Sequence, residues 1–217
     1  MKILFFGDSI TDAGRNRDNL NAISAYGYGF VRVVADRLIS ENPSGVSIMN
    51  RGISGNRVVD LYARIKKDCW NLEPDVIGIL IGVNDIWHEV EGKNGVDLVR
   101  FEKVYRMIIE DTLKVLPNVK IVLSEPFVLL GACTQPTEEN PNRYKQFCEV
   151  YEYAKVVEKL AKEYGLYFLP LQEKFNECAE KYDASLYLSD GVHPNIAGAN
   201  LIATEWIKLY KDKIENA

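Results

Sequence analysis

Two histidines, His88 and His193, are the whole supply of imidazole bases in this 217-residue chain. His193 stands in the stretch LSDGVHPNIAGA, three residues after Asp190. A turn made by Gly191 and closed by Pro194 lets a carboxylate at that spacing reach the ring Nδ1–H. Nε2 is then free to take a proton from a hydroxyl. The same D-x-x-H pattern also arises by chance, as a loop histidine beside an aspartate that caps the next helix. It gains chemical meaning only with a nucleophile at hand. His88 follows Trp87 in a charged stretch, has no orienting carboxylate immediately before it, and reads as a surface or rim residue, with substrate contact as the lesser alternative.

The candidate nucleophile is Ser9. The chain opens MKILFFGDSIT, an apolar run that stops at Gly7 and delivers Asp8 and Ser9. On position alone, a serine after a strand is a helix N-cap, and an anion cradle is a second reading. The GxGxxG and GxxxxGK[ST] spacings are absent. So is the G-x-S-x-G elbow, because Thr11 occupies its last position.

Acyl transfer also needs donors for an oxyanion, each worth about 2.7–4 kcal/mol when removed. Gly55, in NRGISGN, offers a backbone N–H that no side chain covers; its plain role is a tight turn. Asn84, in IGVND, offers a side-chain amide; its plain role is an Asx-turn or cap. The Ser9 N–H makes a third donor. Each piece is weak alone. Together, chance would have to place four polar groups along one edge of the molecule.

That edge follows from the elements. Lys2–Phe6, Val46–Asn50, Asp75–Ile81, Val119–Ser124 and Leu166–Leu171 read as strands. The last is weaker, since Pro170 allows only an end or an edge position. Near-continuous apolar strands predict a sheet covered on both faces. Between them lie helical stripes: Phe30 to Leu38, Val58 to Ile65, Phe101 to Leu116, Tyr151 to Ala161 and Ala199 to Tyr210. Five alternations of strand and helix predict a parallel α/β sheet with helices on both faces. The irregular stretches are Asp12–Ala25, Trp87–Gly95, Phe127–Tyr144 and Asp183–Asn195. They belong at the C-terminal edge of the strands, where sites form.

Composition bounds the rest. The length fits one domain, expected over 1–217, and 47% apolar residues can bury a sizeable core. The net charge of −5, without a basic block, argues against a nucleic-acid surface. Apolar runs fall far below the roughly 20 residues of a membrane span. Lys2 precedes only Ile3–Phe6, short of the roughly 7–15 apolar residues of an export core, which predicts a cytoplasmic protein. Cys69, Cys133, Cys148 and Cys178 show no C-x-x-C pattern. They read as reduced thiols, with no metal site.

These residues resemble the SGNH hydrolase superfamily, also called GDSL esterases. GDSIT (Gly7–Thr11), RGISGN (Arg51–Asn56), IGVND (Ile81–Asp85) and DGVHP (Asp190–Pro194) match its blocks in order over nearly the whole chain. The resemblance implies a flavodoxin-like, three-layer α/β/α fold around a five-stranded parallel sheet. It implies ester hydrolysis with Ser9 as nucleophile, His193 as base and Asp190 as its orienter. The oxyanion hole would be Ser9 N–H, Gly55 N–H and Asn84. No metal or organic cofactor is implied.

The words GDSITDAGR, NRGISGN and IGVNDIWHE are similar to the carbohydrate acetylesterase branch, notably intracellular acetylxylan esterases acting on xylo-oligosaccharides, which are often oligomeric. The implied partner is a small acetylated saccharide, and a homo-oligomer is expected. Asp8, Trp87 and Arg57 are candidate substrate contacts. Trp87 reads equally as a sugar-stacking face or as a packing residue. Arg15 and Arg17 read as solvated more readily than as sugar contacts. Phe127–Tyr144 is long for a connection and reads as a lid, a pocket wall or an interface. The alternatives are a lysophospholipase or thioesterase on the same scaffold, and a non-catalytic nucleotide-binding module of flavodoxin-like fold.

Overall fold

The computed structural model describes residues 1–215. Strand β1 (Lys2–Gly7) buries Ile3 to Phe6 without alternation, as a strand covered on both faces must. β2 (Ser47–Gly52) alternates, in keeping with an edge position. β3 (Val76–Leu80) is buried throughout, β4 (Lys120–Ser124) from Ile121 onward, and β5 (Tyr167–Leu169) is short. All pairs are parallel, in the order β2-β1-β3-β4-β5. This is the flavodoxin-like doubly wound order, whose winding reverses between β1 and β3.

The expected five-stranded parallel sheet is therefore present. β2 runs on to Gly52 because Arg51 and Gly52 still pair with Phe6 and Gly7. β5 ends immediately before Pro170 and lies on the sheet edge.

The helices are α1 (Ser9–Asp12), α2 (Phe30–Glu41), α3 (Val58–Asp68), α4 (Val83–Gly92), α5 (Leu98–Val115), α6 (Arg143–Phe147), α7 (Val150–Glu163), α8 (Gln172–Lys181) and α9 (Ile196–Lys213). α2 packs on α9, while α5 packs on α3 and α7, so one helical layer covers each face. Phe5 faces the first layer, with its ring centroid 5.3 Å from Phe30 and 4.8 Å from Trp206. On the other face Phe101 of α5 meets Tyr153 of α7 at 4.8 Å. The three-layer α/β/α expectation holds.

Two expectations need correction. Trp87–Gly95 is not an irregular stretch: α4 carries the chain as far as Gly92 and ends at Lys93, which adopts a left-handed conformation. Val83, Ile86, Trp87 and Val90 recur at helical spacing and pack inward. His88 is thus a helix residue. α8 was not expected at all. Its start is capped from far away, by Glu125 accepting from Leu171 N (2.6 Å) and Gln172 N (2.8 Å). The start of α3 has a local cap, Asp60 accepting from Arg57 N at 2.9 Å, and a distant one besides, the Asp85 carboxylate accepting from Val58 N at 3.0 Å. No local pattern announces such distant caps.

Candidate active site

The C-terminal ends of β1, β2 and β3 lie side by side, Gly7 opposite both Gly52 and Leu80. Just beyond β1 the chain turns into α1, and the Asp8 carboxylate caps that single turn by accepting from Ile10 N at 2.9 Å. The cap in this stretch is therefore Asp8, which frees the half-buried Ser9 side chain for another partner.

Ser9 Oγ lies 2.9 Å from His193 Nε2, and His193 Nδ1 lies 2.7 Å from Asp190 Oδ2. Asp190 Oδ1 accepts from the backbone N–H groups of Val192 (2.9 Å) and His193 (2.8 Å). With Nδ1–H donated to the carboxylate, Nε2 is the acceptor for the Ser9 hydroxyl. Partial burial acts to raise the Asp190 carboxyl, but the bonds from the His193 ring and the two backbone N–H groups outweigh it. They hold the group well below the usual carboxylate range. The bond to Asp190 pushes His193 above its ordinary value; burial opposes this, and the charges of Asp190 and Asp8 add to it.

The loop that carries this pair is braced from behind. Leu129 N donates to Gly191 O and Cys133 N to Asp190 O, both at 2.9 Å. A Cβ on Gly131 would stand 2.4 Å from Gly191 N, so only glycine admits this approach. Arg143 then ties Cys133 O (2.6 Å) to Glu91 of α4 (2.6 Å). Residues 127–144 thus buttress the histidine loop from behind and line none of the cavity at Ser9.

On the opposite side lies the turn after β2. Gly55 sits at φ 80°, and its N–H has no acceptor among the described residues. Asn84 is buried at the start of α4 and donates its amide to Asn56 O at 3.1 Å, joining the two strand ends. The imidazole of His88 faces Gly55: its Nε2 lies 4.0 Å from the position a Cβ there would take.

The candidate substrate contacts fare differently. Asp8 is 1% exposed, and burial pushes its carboxyl up to about 7, against the Ile10 N–H bond and the charge of His193. It lies beneath the site, not in the cleft. Arg57 donates to Asp60 (2.9 and 3.2 Å) and to Asn94 O (2.6 Å), engaging its guanidinium as a brace for α3. Trp87 is half-buried, its ring centroid 5.7 Å from His193 and 5.5 Å from Phe147. Arg15 is buried and donates to Gly52 O at 2.9 Å; Arg17 pairs with Asp12.

Two residues that sequence reasoning passed over hold the site together. The buried Asp12 carboxylate accepts from Ser54 N (3.0 Å) and Ser54 Oγ (3.1 Å), linking the serine turn to the Gly55 turn. Arg64 of α3 donates to Gly7 O (3.1 Å), Arg51 O (2.9 Å) and Asn56 Oδ1 (2.7 Å). Its signal was present: Arg64 lies between Leu61 and Ile65, at the border of an apolar stripe.

The chain matches the model of the GDSL-like lipase/acylhydrolase family over residues 5–201. It is 34% identical over 214 residues to an acetylxylan esterase of Geobacillus stearothermophilus, covering 95% of this chain and 92% of that one. A solved structure of that esterase superposes with a TM-score of 0.80. Its solved structures include catalytic mutants in which a serine, an aspartate or a histidine is replaced by alanine. A protein described as a GDSL-like lipase, from Parabacteroides merdae, superposes with a TM-score of 0.86 at 36% identity, covering 98% of this chain and 96% of that one.

Proposed function

The chain belongs to the GDSL-like lipase/acylhydrolase family, and from that premise we propose that it removes acetyl groups from acetylated carbohydrates, with xylo-oligosaccharides as the expected class. Ser9, His193 and Asp190 are its nucleophile, base and orienting carboxylate. The observation that carries this reading is the unbroken run Ser9–His193–Asp190, at 2.9 and 2.7 Å. The likeness to an acetylxylan esterase along nearly the whole length supports the acetyl and carbohydrate parts. A nucleotide-binding module shares the sheet order but has no use for this run of groups.

The mechanism follows from the geometry. Ser9 Oγ attacks the ester carbonyl as His193 Nε2 takes its proton, and Asp190 stabilises the imidazolium that forms. Ser9 N–H, Gly55 N–H and the Asn84 amide receive the charge that develops on the carbonyl oxygen. As the bond between the carbonyl carbon and the sugar oxygen breaks, His193 gives the proton to that oxygen, which leaves as a hydroxyl, and acetyl-Ser9 remains. Water, deprotonated by the same histidine, releases acetate and restores the serine.

Acetate release from acetylated xylo-, manno- and gluco-oligosaccharides tests the reading, with Ser9→Ala alongside. The variant should stay folded and lose nearly all turnover. A p-nitrophenyl ester series should peak sharply at acetyl; an optimum at eight carbons or more would instead favour a lysophospholipase or thioesterase. The expected homo-oligomer has a candidate surface in the exposed Tyr182, Leu186 and Ile196, and light scattering reads it directly. Cytoplasmic placement is the accompanying expectation, read by cell fractionation.

A further inference from the structure

Tyr28 is 79% exposed, yet the backbone beneath it leaves it little choice of position. Its N–H donates to Ala13 O at 2.9 Å. Its ring lies over Gly14, where a Cβ would stand 2.5 Å from Tyr28 Cε1. The flanking glycines are as tight: a Cβ on Gly27 would stand 2.6 Å from Asp12 O, and one on Gly29 2.7 Å from Ala13 Cβ. Buried Asn50 completes the staple by donating to Thr11 O (2.7 Å) and Tyr26 O (2.9 Å). Residues 26–29 are thus fastened to residues 11–14, the continuation of the turn that begins at Ser9. The ring that this staple carries faces outward.

It faces the reaction site. Tyr28, Ser9, His193, Ser54 and Pro194 line one cavity of about 300 Å³, the lower end of the range for small-molecule sites. An acetyl group has two carbons and leaves most of such a space to the rest of the ester. Trp87, read from sequence equally as a stacking face or a packing residue, is half-buried against Phe147 and His193; Tyr28 is the more open ring. A tyrosine held in place in advance offers a broad apolar face at low entropic cost.

We propose that Tyr28 is the platform on which the alcohol part of the ester, a sugar ring, stacks during deacetylation, and so is a specificity-determining residue. This rests on the acetyl-carbohydrate reading above. The C–H face of the sugar lies on the phenol ring, while the ester reaches Ser9 in the same cavity.

The test compares acetylated xylo-oligosaccharides with ethyl acetate, whose leaving alcohol has no ring to stack. Tyr28→Ala should raise KM for the saccharide about tenfold and lower kcat/KM for ethyl acetate far less. Tyr28→Phe should keep the wild-type KM. Unchanged saccharide kinetics in Tyr28→Ala would overturn the platform. So would an equal loss on both substrates, which would mean the residue only shapes the site. A Tyr28→Phe loss as large as that of Tyr28→Ala would transfer the role to the hydroxyl and also overturn it. Wild-type protein that hydrolyses ethyl acetate but no saccharide ester would overturn the carbohydrate reading itself, and the platform with it.

Discussion

Ser9 and His193 stand 184 positions apart, and what makes their meeting useful is the charge around them. A base must be neutral to accept a proton, so the raised pKa of His193 sets where activity begins. The acid limb of kcat/KM should lie above about 6.5, the ordinary imidazole value. Asp190→Asn should lower the rate and move the limb down, because its main cause is removed. Asp8→Asn should move it down by less. The amide oxygen keeps the Ile10 cap but carries no charge to His193.

The signs for stability differ. Asp190, depressed when folded, contributes above its ordinary value of about 3.9, and that contribution is lost as pH falls through the folded value. His193, raised when folded, contributes below about 6.5, and that contribution is lost as pH rises through the folded value. Asp190→Asn should therefore cost most stability between about pH 4 and 6.5 and less at pH 8.5, read as Tm across pH. At this scale the triad was legible because the chain offers so few bases. The place of Asp8 was not, since nothing in GDSIT tells an inward carboxylate from an outward one.

Between elements, the site depends on how three strand ends are held relative to one another, and Arg64 does much of the holding. Its fork joins the carbonyls of Gly7 and Arg51 to the side chain of Asn56, while its guanidinium lies 4.3 Å above the Phe6 ring. Asn56 in turn accepts from Asn84. Arg64→Met keeps the stem and loses the fork, so the Gly55 turn and the Asn84 amide should drift from Ser9. Misplacement of about 1 Å can cost about 10²-fold. The expected outcome is a kcat loss of about that size with KM little changed, measured on the acetylated saccharide. Arg64→Lys should rescue little, because a point charge cannot make three directed bonds. A proportional rise in KM would mean that Arg64 serves binding instead. Strands and long helices were legible from periodicity. α8 and the distant half of the α3 cap were not, because Glu125 and Asp85 act across the fold, the latter beside the local Asp60.

Across the whole molecule, strand alternation predicted the parallel sheet, but strand order is a tertiary matter that no single segment encodes. The order places Ser9 where the winding reverses, the usual position for a site in such sheets. The same order serves unrelated functions, so the chemistry had to be argued from the site. Frame and site are nonetheless joined through α9, whose N-terminus follows directly from the His193 loop and whose Trp206 packs on Phe5 across the absent side chain of Gly78. A Cβ on Gly78 would stand 3.0 Å from Phe5 and 3.2 Å from Trp206 Nε1. Both rings are fully buried in a dense core, so neither has free space to yield into. Gly78→Ala should cost about 1–3 kcal/mol of unfolding free energy, read by denaturant titration. Turnover at 25 °C should stay close to wild type, because Trp206 and Phe5 touch none of the reacting groups. If kcat fell together with stability in the fully folded variant, the packing of α9 would have to set the His193 position directly.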